Sequence, residues 1–214
     1  MAADRAPPLK PLRAAVFASG NGTNAENIIR TCQDLPQIDI TLVVTNKPDA
    51  GVIKRAEALG IPCAVIPRNN GKAAQEAAIL HTLQTADIDW LFLAGFMQLL
   101  SADFLRHFRD DARGINRVVN IHPSLLPDFA GKDSYERAYA AAKPLHGVTL
   151  HYVDDGMDTG PAIAQATYPR AIDMTFDAFC AAGQQLEYQI YSNFLRELAA
   201  AHAQTAEDKT WARA

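Results

Sequence analysis

Cysteine is scarce: Cys32, Cys63 and Cys180 are the only three in 214 residues, an odd number, widely spaced and without a CxxC or histidine-rich partner. That excludes a disulfide framework and a structural zinc site, and predicts buried thiols in a reducing compartment. Positive charge is in deficit, with 20 Lys and Arg against 24 Asp and Glu for a net charge of -4. No basic field is therefore present to gather nucleic acid, and any phosphate must be held by local groups. No apolar run approaches the length of a membrane span, and the opening MAADRAPPLKPLR lacks the apolar centre of a signal peptide. A cytoplasmic protein with neither a nucleic-acid nor a membrane partner is expected. Internal repeats are missing too, as are the GxxxxGKS/T and GxGxxG phosphate motifs, a Ser or Cys nucleophile signature and metal-ligand spacing.

What is present is an apolar half, 49% of residues, enough for one sizeable core. AAVFAS, the turn GNGTN, a helical stretch from about Ala25 and ITLVVTN make a βαβ unit. A helix over about 50–60 closed by Gly60, the strand CAVIP, a helix over about 72–85 and the run WLFLAGF from Trp90 continue the alternation. Near-continuous apolar strands separated by helices predict an α/β fold with an open, mostly parallel twisted sheet and helices on both faces. Ser101 suits the N-cap of a short helix. VVNIHP, a helix over about 134–142 and a hairpin of VTLHYVD and AIAQATYP around DGMDTGP follow. A last helix from about Thr175 to Ala200 carries Phe176, Phe179, Leu186, Ile190, Phe194 and Leu198 near helical period. One domain over 13–200 is expected, between a flexible segment 1–12 and a polar tail 201–214.

Three polar clusters stand at strand ends, where ligands bind in open α/β sheets. In SGNGTN, Ser19–Asn24, Gly20 and Gly22 permit positive φ, and the backbone N–H groups entering the helix can converge on a phosphate. Thr23 or Asn24 as a plain N-cap is the alternative. In VVNIHPSLLP, Asn120 and His122 pair an amide donor with a titratable imidazole, which suits a reaction that builds negative charge on a carbonyl oxygen. Asp154, Asp155 and Asp158 cluster in YVDDGMDTGP, and one of them can reach His122 and move protons. Singly, these read equally as a turn former with a satisfied histidine, and as an acidic turn or cation loop.

In this order SGNGTN, LAGFMQLLS, NIHPSLLP and the DTGP loop resemble the folate-dependent formyltransferases, over about Ala14 to Leu195. NIHPSLLP with a downstream DxGP marks the superfamily without choosing among its members, which include methionyl-tRNA and sugar-nucleotide formyltransferases and formyltetrahydrofolate deformylase. The SGNGTN opening, LAGFM and the short chain favour the phosphoribosylglycinamide formyltransferases. The resemblance implies a Rossmann-like formyltransferase fold and transfer of a formyl group from the co-substrate 10-formyltetrahydrofolate to the amine of glycinamide ribonucleotide in purine biosynthesis, without a metal. Its alternatives are another amine-bearing nucleotide or sugar nucleotide as acceptor, or a non-catalytic folate- or nucleotide-binding homologue.

By matching positions the resemblance implies Asn120, His122 and Asp158 as the catalytic trio. It implies Gly22, Thr23, Asn24 and Glu187 for the phosphoribosyl amine, and Lys72, Met97, Gln98, Leu99 and Leu100 with Asn120 for the reduced folate. Phosphate binding falls to the N-terminal half, folate binding and catalysis to the C-terminal half, and a homodimer is left open. On residue pattern alone Glu187 reads as a solvated helix residue and His151 as a satisfied strand histidine. The chain departs from the usual pattern at Gln98, where Met-Arg is common, at Lys72, where an arginine is common, and at Tyr135, where a histidine is frequent. Lysine keeps the charge but not the bidentate fork.

Overall fold

Along the first strand, β1 (Leu12–Phe17), side chains divide between two cores: Ala14 and Val16 enter one, Ala15 and Phe17 the other, all fully buried. A strand buried on both faces needs cover on both sides. The computed structural model describes residues 10–211, with side chains through 205, so residues 1–9 of the expected flexible segment and the last three residues lie outside the described residues. The further strands are β2 (Ile38–Thr45), β3 (Cys63–Val65), β4 (Trp90–Leu93), β5 (Arg109–Asp110), β6 (Ile115–Asn116), β7 (Val118–His122), β8 (Leu145–Tyr152) and β9 (Ala162–Pro169). The helices are α1 (Thr23–Gln33), α2 (Val52–Ala58), α3 (Lys72–Thr85), α4 (Ala102–Leu105), α5 (Ser134–Ala140) and α6 (Phe176–Trp211).

Seven strands form one sheet in the order β3-β2-β1-β4-β7-β8-β9, while β5 and β6 pair separately. The pairs from β3 to β7 are parallel, and β7–β8 and β8–β9 are antiparallel. The expected α/β sheet with helices on both faces is thus present, and so is the hairpin. From β1 the chain builds outward first to β2 and β3, then on the other side to β4 and β7. The strand order therefore reverses between β1 and β4, which places a crevice at their carboxyl ends.

Helices α1, α2 and α6 cover one face through Ile28, Ile29, Val52, Ala56 and Leu195; α3 and α4 cover the other through Ile79, Leu83, Phe104 and Leu105. Ser101 caps α4 as expected, its Oγ accepting from the Phe104 N–H at 3.2 Å. The run WLFLAGF stops being a strand at Leu93, because Gly95 turns the chain with φ 76. Helix α6 passes the expected end at Ala200 and reaches Trp211. Of the three thiols, all free, only Cys32 is buried; Cys63, on the short β3, and Cys180, on α6, are partly exposed, contrary to expectation. Among the described residues no helix is long and apolar enough to cross a membrane.

The long helix is fastened to the sheet by Tyr191, which has no exposed surface and donates its hydroxyl to the Val119 carbonyl at 3.2 Å. Phe92 of β4 meets the rings of Tyr191 and Phe194 edge-on, with centroids 6.1 and 6.5 Å away. Phe92→Ala removes the ring that joins sheet to helix and is expected to cost about 3–5 kcal/mol of stability. Urea unfolding measures it, and a loss below about 1 kcal/mol would show that the two elements are held some other way.

Candidate functional site

The carboxyl ends of β1, β4 and β7 open into one crevice, and the three polar clusters of the sequence meet there. Ser19 ties the end of β1 to the segments after β2 and β4: its N–H donates to the Gly95 carbonyl at 3.0 Å, its Oγ donates to Asn46 Oδ1 at 2.6 Å, and the Met97 N–H donates to that Oγ at 2.8 Å. Gly22 is the N-cap of α1 with φ 81, a conformation that L side chains rarely adopt, and an added Cβ there would sit 2.6 Å from Val52 Cβ. Neither Thr23 nor Asn24 caps the helix. Each instead begins it and turns its side chain toward α6, so the first-turn N–H groups, which have no acceptor within the helix, stay available to an anion.

Two strand positions put Asn120 and His122 on the same face of β7. Asn120 is not at the strand end as expected but at its middle; its parallel neighbour is Leu93, the last residue of β4, so the ladder stops beside it. On the other side it faces His151 of β8. His151 is 2% exposed, and its Nδ1–H donates to the Tyr152 carbonyl at 2.9 Å. Its Nε2 therefore carries the lone pair and accepts from Asn120 Nδ2 at 3.2 Å. That bond orients the amide and leaves one Nδ2 hydrogen free. Burial lowers the pKa of His151 and the bond to the Tyr152 carbonyl opposes it only in part, which keeps the ring neutral at this junction.

His122, 5% exposed, lies with Nδ1 3.2 Å from Asp158 Oδ2 and Nε2 3.1 Å from the Phe129 carbonyl, so each ring nitrogen faces an oxygen acceptor. Of the three clustered aspartates only Asp158 reaches the ring. Asp154 closes its own loop, accepting from the Gly156 N–H and the Thr159 hydroxyl at 3.1 and 2.7 Å, and Asp155 is exposed. Asp158 Oδ2 also accepts from the Gly131 N–H at 2.9 Å, and its Oδ1 lies 3.7 Å from His151 Nε2.

Toward α6 a second polar group forms. Glu187, the residue that pattern alone reads as solvated, is 5% exposed. Its Oε2 accepts from Asn24 Nδ2 at 2.6 Å and its Oε1 from the Tyr135 hydroxyl at 2.5 Å. Gln184, one turn earlier, donates to Thr23 Oγ1 at 2.9 Å. Neither Gln184 nor the direction of Tyr135 had a signal in the sequence, because each acts through a partner distant in the chain. Tyr135, Gln184 and Glu187 border a cleft of about 260 Å3 that also meets Asp177, Cys180 and Ala181. Burial pushes up all three thiols, Cys32 to about 12, so none is an activated nucleophile.

Of the positions matched to folate, Met97 to Leu100 lie on the loop after β4. Met97 and Leu99 are exposed at 66% and 44%, so they do not serve the core, whereas the Leu100 side chain is buried in it. Only backbone of Leu100 can face a ligand. Lys72, at the start of α3, has Nζ 3.8 Å from Glu76, whose carboxylate accepts from the Ser101 N–H and hydroxyl at 2.9 and 2.5 Å. Lys72 thus stands beside this loop. Among the described residues no group of three or more His, Cys, Asp or Glu is placed to hold a metal ion.

The sequence model of the family described as Formyl transferase matches residues 12–195. The chain is 39% identical over 187 residues to the phosphoribosylglycinamide formyltransferase of Bacillus subtilis, covering 86% of this chain and 93% of that one. It is 37% identical to the enzyme of that name from Haemophilus influenzae, over 84% and 83%. Among solved structures, glycinamide ribonucleotide transformylase 1 from Geobacillus kaustophilus is similar with a TM-score of 0.80 and 40% identity, over 89% of this chain and 100% of that one.

The buried His151 gives a stability test. Its folded pKa lies below the ordinary value of about 6.5, so once the pH falls below that value the unfolded chain binds the extra proton. The stability it confers is complete above that pH and is lost as pH falls. Between about pH 7 and about pH 5 the unfolding free energy should decline more steeply in the wild type than in His151→Gln. Parallel slopes would show that His151 takes up its proton as readily in the fold as outside it.

Proposed function

The chain belongs to the formyl transferase family, and from that membership we propose that it transfers a formyl group from 10-formyltetrahydrofolate to the amine of glycinamide ribonucleotide. The observation that carries the reading is the meeting of Asn120, His122 and Asp158 in one crevice at the sheet's switch point, with the imidazole 3.2 Å from the carboxylate. Attack of the amine nitrogen on the formyl carbon puts negative charge on the formyl oxygen. The free Nδ2 hydrogen of Asn120, aimed by neutral His151, is a fixed donor for that charge, worth about 2.7–4 kcal/mol in such sites. A protonated His122 adds its field, and Asp158 holds the imidazolium. Collapse breaks the bond from the formyl carbon to N10 of the folate. The amine proton leaves through Asp158 and water to N10, so a formyl group and a proton exchange places between two nitrogens and nothing is oxidised or reduced.

The acceptor's phosphate fits the N-terminus of α1 at Gly22, Thr23 and Asn24, where N–H groups lack partners. Its amine end fits toward Asp158, and the part between phosphate and amine toward Glu187. The formyl donor fits against the backbone of Met97 to Leu100, with Lys72 on the side of the folate tail in place of an arginine. Gln98 departs from the common pattern, but a backbone reading of the pterin does not need its side chain.

The test is formyl transfer by the purified chain, followed by the absorbance of the folate product with glycinamide ribonucleotide present and then omitted. Turnover only with the nucleotide supports the reading; turnover without it indicates hydrolysis of the donor. Asn120→Ala is expected to lower kcat by about 10²–10³ and His122→Ala by about 10²–10⁴, with acceptor and donor KM little changed. A rise in KM alone would make these residues binding groups and overturn the mechanism.

A further inference from the structure

We propose that Tyr135 is a specificity-determining residue for the acceptor: its hydroxyl sets the Glu187 carboxylate against which the acceptor is read, away from its reacting amine. The proposal rests on the activity above and concerns the side of the cleft away from the His122–Asp158 pair. Glu187 lies on α6 and Asn24 on α1, and a carboxylate between two helices has several orientations open to it. Asn24 Nδ2 holds Oε2 at 2.6 Å, and the Tyr135 hydroxyl, from α5, holds Oε1 at 2.5 Å, so two donors from two different helices fix the plane of the group. Each carboxylate oxygen accepts more than one bond. The lone pairs left over are the acceptors available to a hydroxyl or N–H group of the acceptor lying in the cleft along Gln184.

The local structure is arranged around this phenol. Its ring meets Phe179 edge-on at 6.0 Å, and beside it α6 carries Gly183. Glycine inside a helix is unfavourable relative to alanine. A Cβ at 183 would stand 2.5 Å from the Tyr135 hydroxyl oxygen and 2.7 Å from Cε1, so the helix surface is cut back to seat this side chain. Burial, and after it the charge of Glu187, push the phenol's pKa far up, so it remains a hydrogen-bond donor wherever the enzyme works. The Asn24 amide gives no such donor to Oε1, and its own Oδ1 is buried without a partner, a further acceptor beside Glu187.

Tyr135→Phe keeps the ring and removes only the bond. With both substrates varied, it is expected to raise the KM for glycinamide ribonucleotide roughly tenfold, while kcat stays within about twofold and the KM for the formyl donor is unchanged. Gly183→Ala, which favours the helix and displaces the hydroxyl, should produce the same split. The double variant should be no worse than either single one, because both remove one interaction. Unchanged kinetics in Tyr135→Phe, beside a wild type active on this acceptor, would overturn the inference alone and leave Tyr135 as packing. A fall in kcat with acceptor KM intact would also overturn it, and so would additive effects in the double variant. A wild type inert toward glycinamide ribonucleotide would contradict the activity reading itself, and this inference with it.

Discussion

His122 Nδ1 and Asp158 Oδ2 lie 3.2 Å apart, and each half of that contact is imposed by a different part of the fold. β7 delivers the imidazole as its last residue, nearly without exposure, where a charge without a partner would be costly. Asp158 arrives from the β8–β9 connection with φ 56, a left-handed conformation that non-glycine residues seldom take. Such backbone persists when its surroundings hold it. Here the Gly131 N–H, from the loop that follows β7, bonds the same carboxylate oxygen that faces the ring. Two loops from neighbouring strands are thus cross-tied over one imidazole, and the crevice keeps its shape because neither can move alone.

Packing and chemistry share the last helix in the same way. Tyr191 locks α6 onto the sheet through the Val119 carbonyl, and Glu187 stands one turn earlier on the same face. The depth at which Glu187 enters the cleft is therefore set by core packing rather than by the cleft. From there the carboxylate reaches across to Asn24 of α1, 163 residues away in sequence. The two halves of the chain, one carrying the Ser19–Asn24 loop and the other Asn120, His122 and Asp158, are brought to one crevice by this helix and by the reversal of strand order between β1 and β4.

Local and periodic features were legible in the sequence. The span of α3, the N-cap at Ser101, the hairpin around DGMDTGP and the two-sided burial of the central strands depend on neighbours a few residues away or on simple periods. The polar clusters were legible as candidate sites because strand ends in such sheets are where ligands sit. What the pattern could not carry was long-range pairing. Glu187 looks solvated until α1 and α5 are laid against it, His151 looks like one more strand histidine until Asn120 faces it, and Gly183 has no reason inside a helix until Tyr135 is seated there. Asn120 is instructive, since its exposure comes from the early stop of β4 at Leu93, a property of its neighbour. The thiols were misjudged for a similar reason: a short edge strand and a cleft-facing helix leave Cys63 and Cys180 partly exposed.

The most direct measurement is the single-turnover rate of formyl transfer in Asp158→Asn, with both substrates saturating and their binding measured separately. The account expects the chemical step to slow by about a hundredfold or more while both substrates bind as in the wild type. A rate close to the wild type would mean that the carboxylate beside His122 serves the loop and not the reaction.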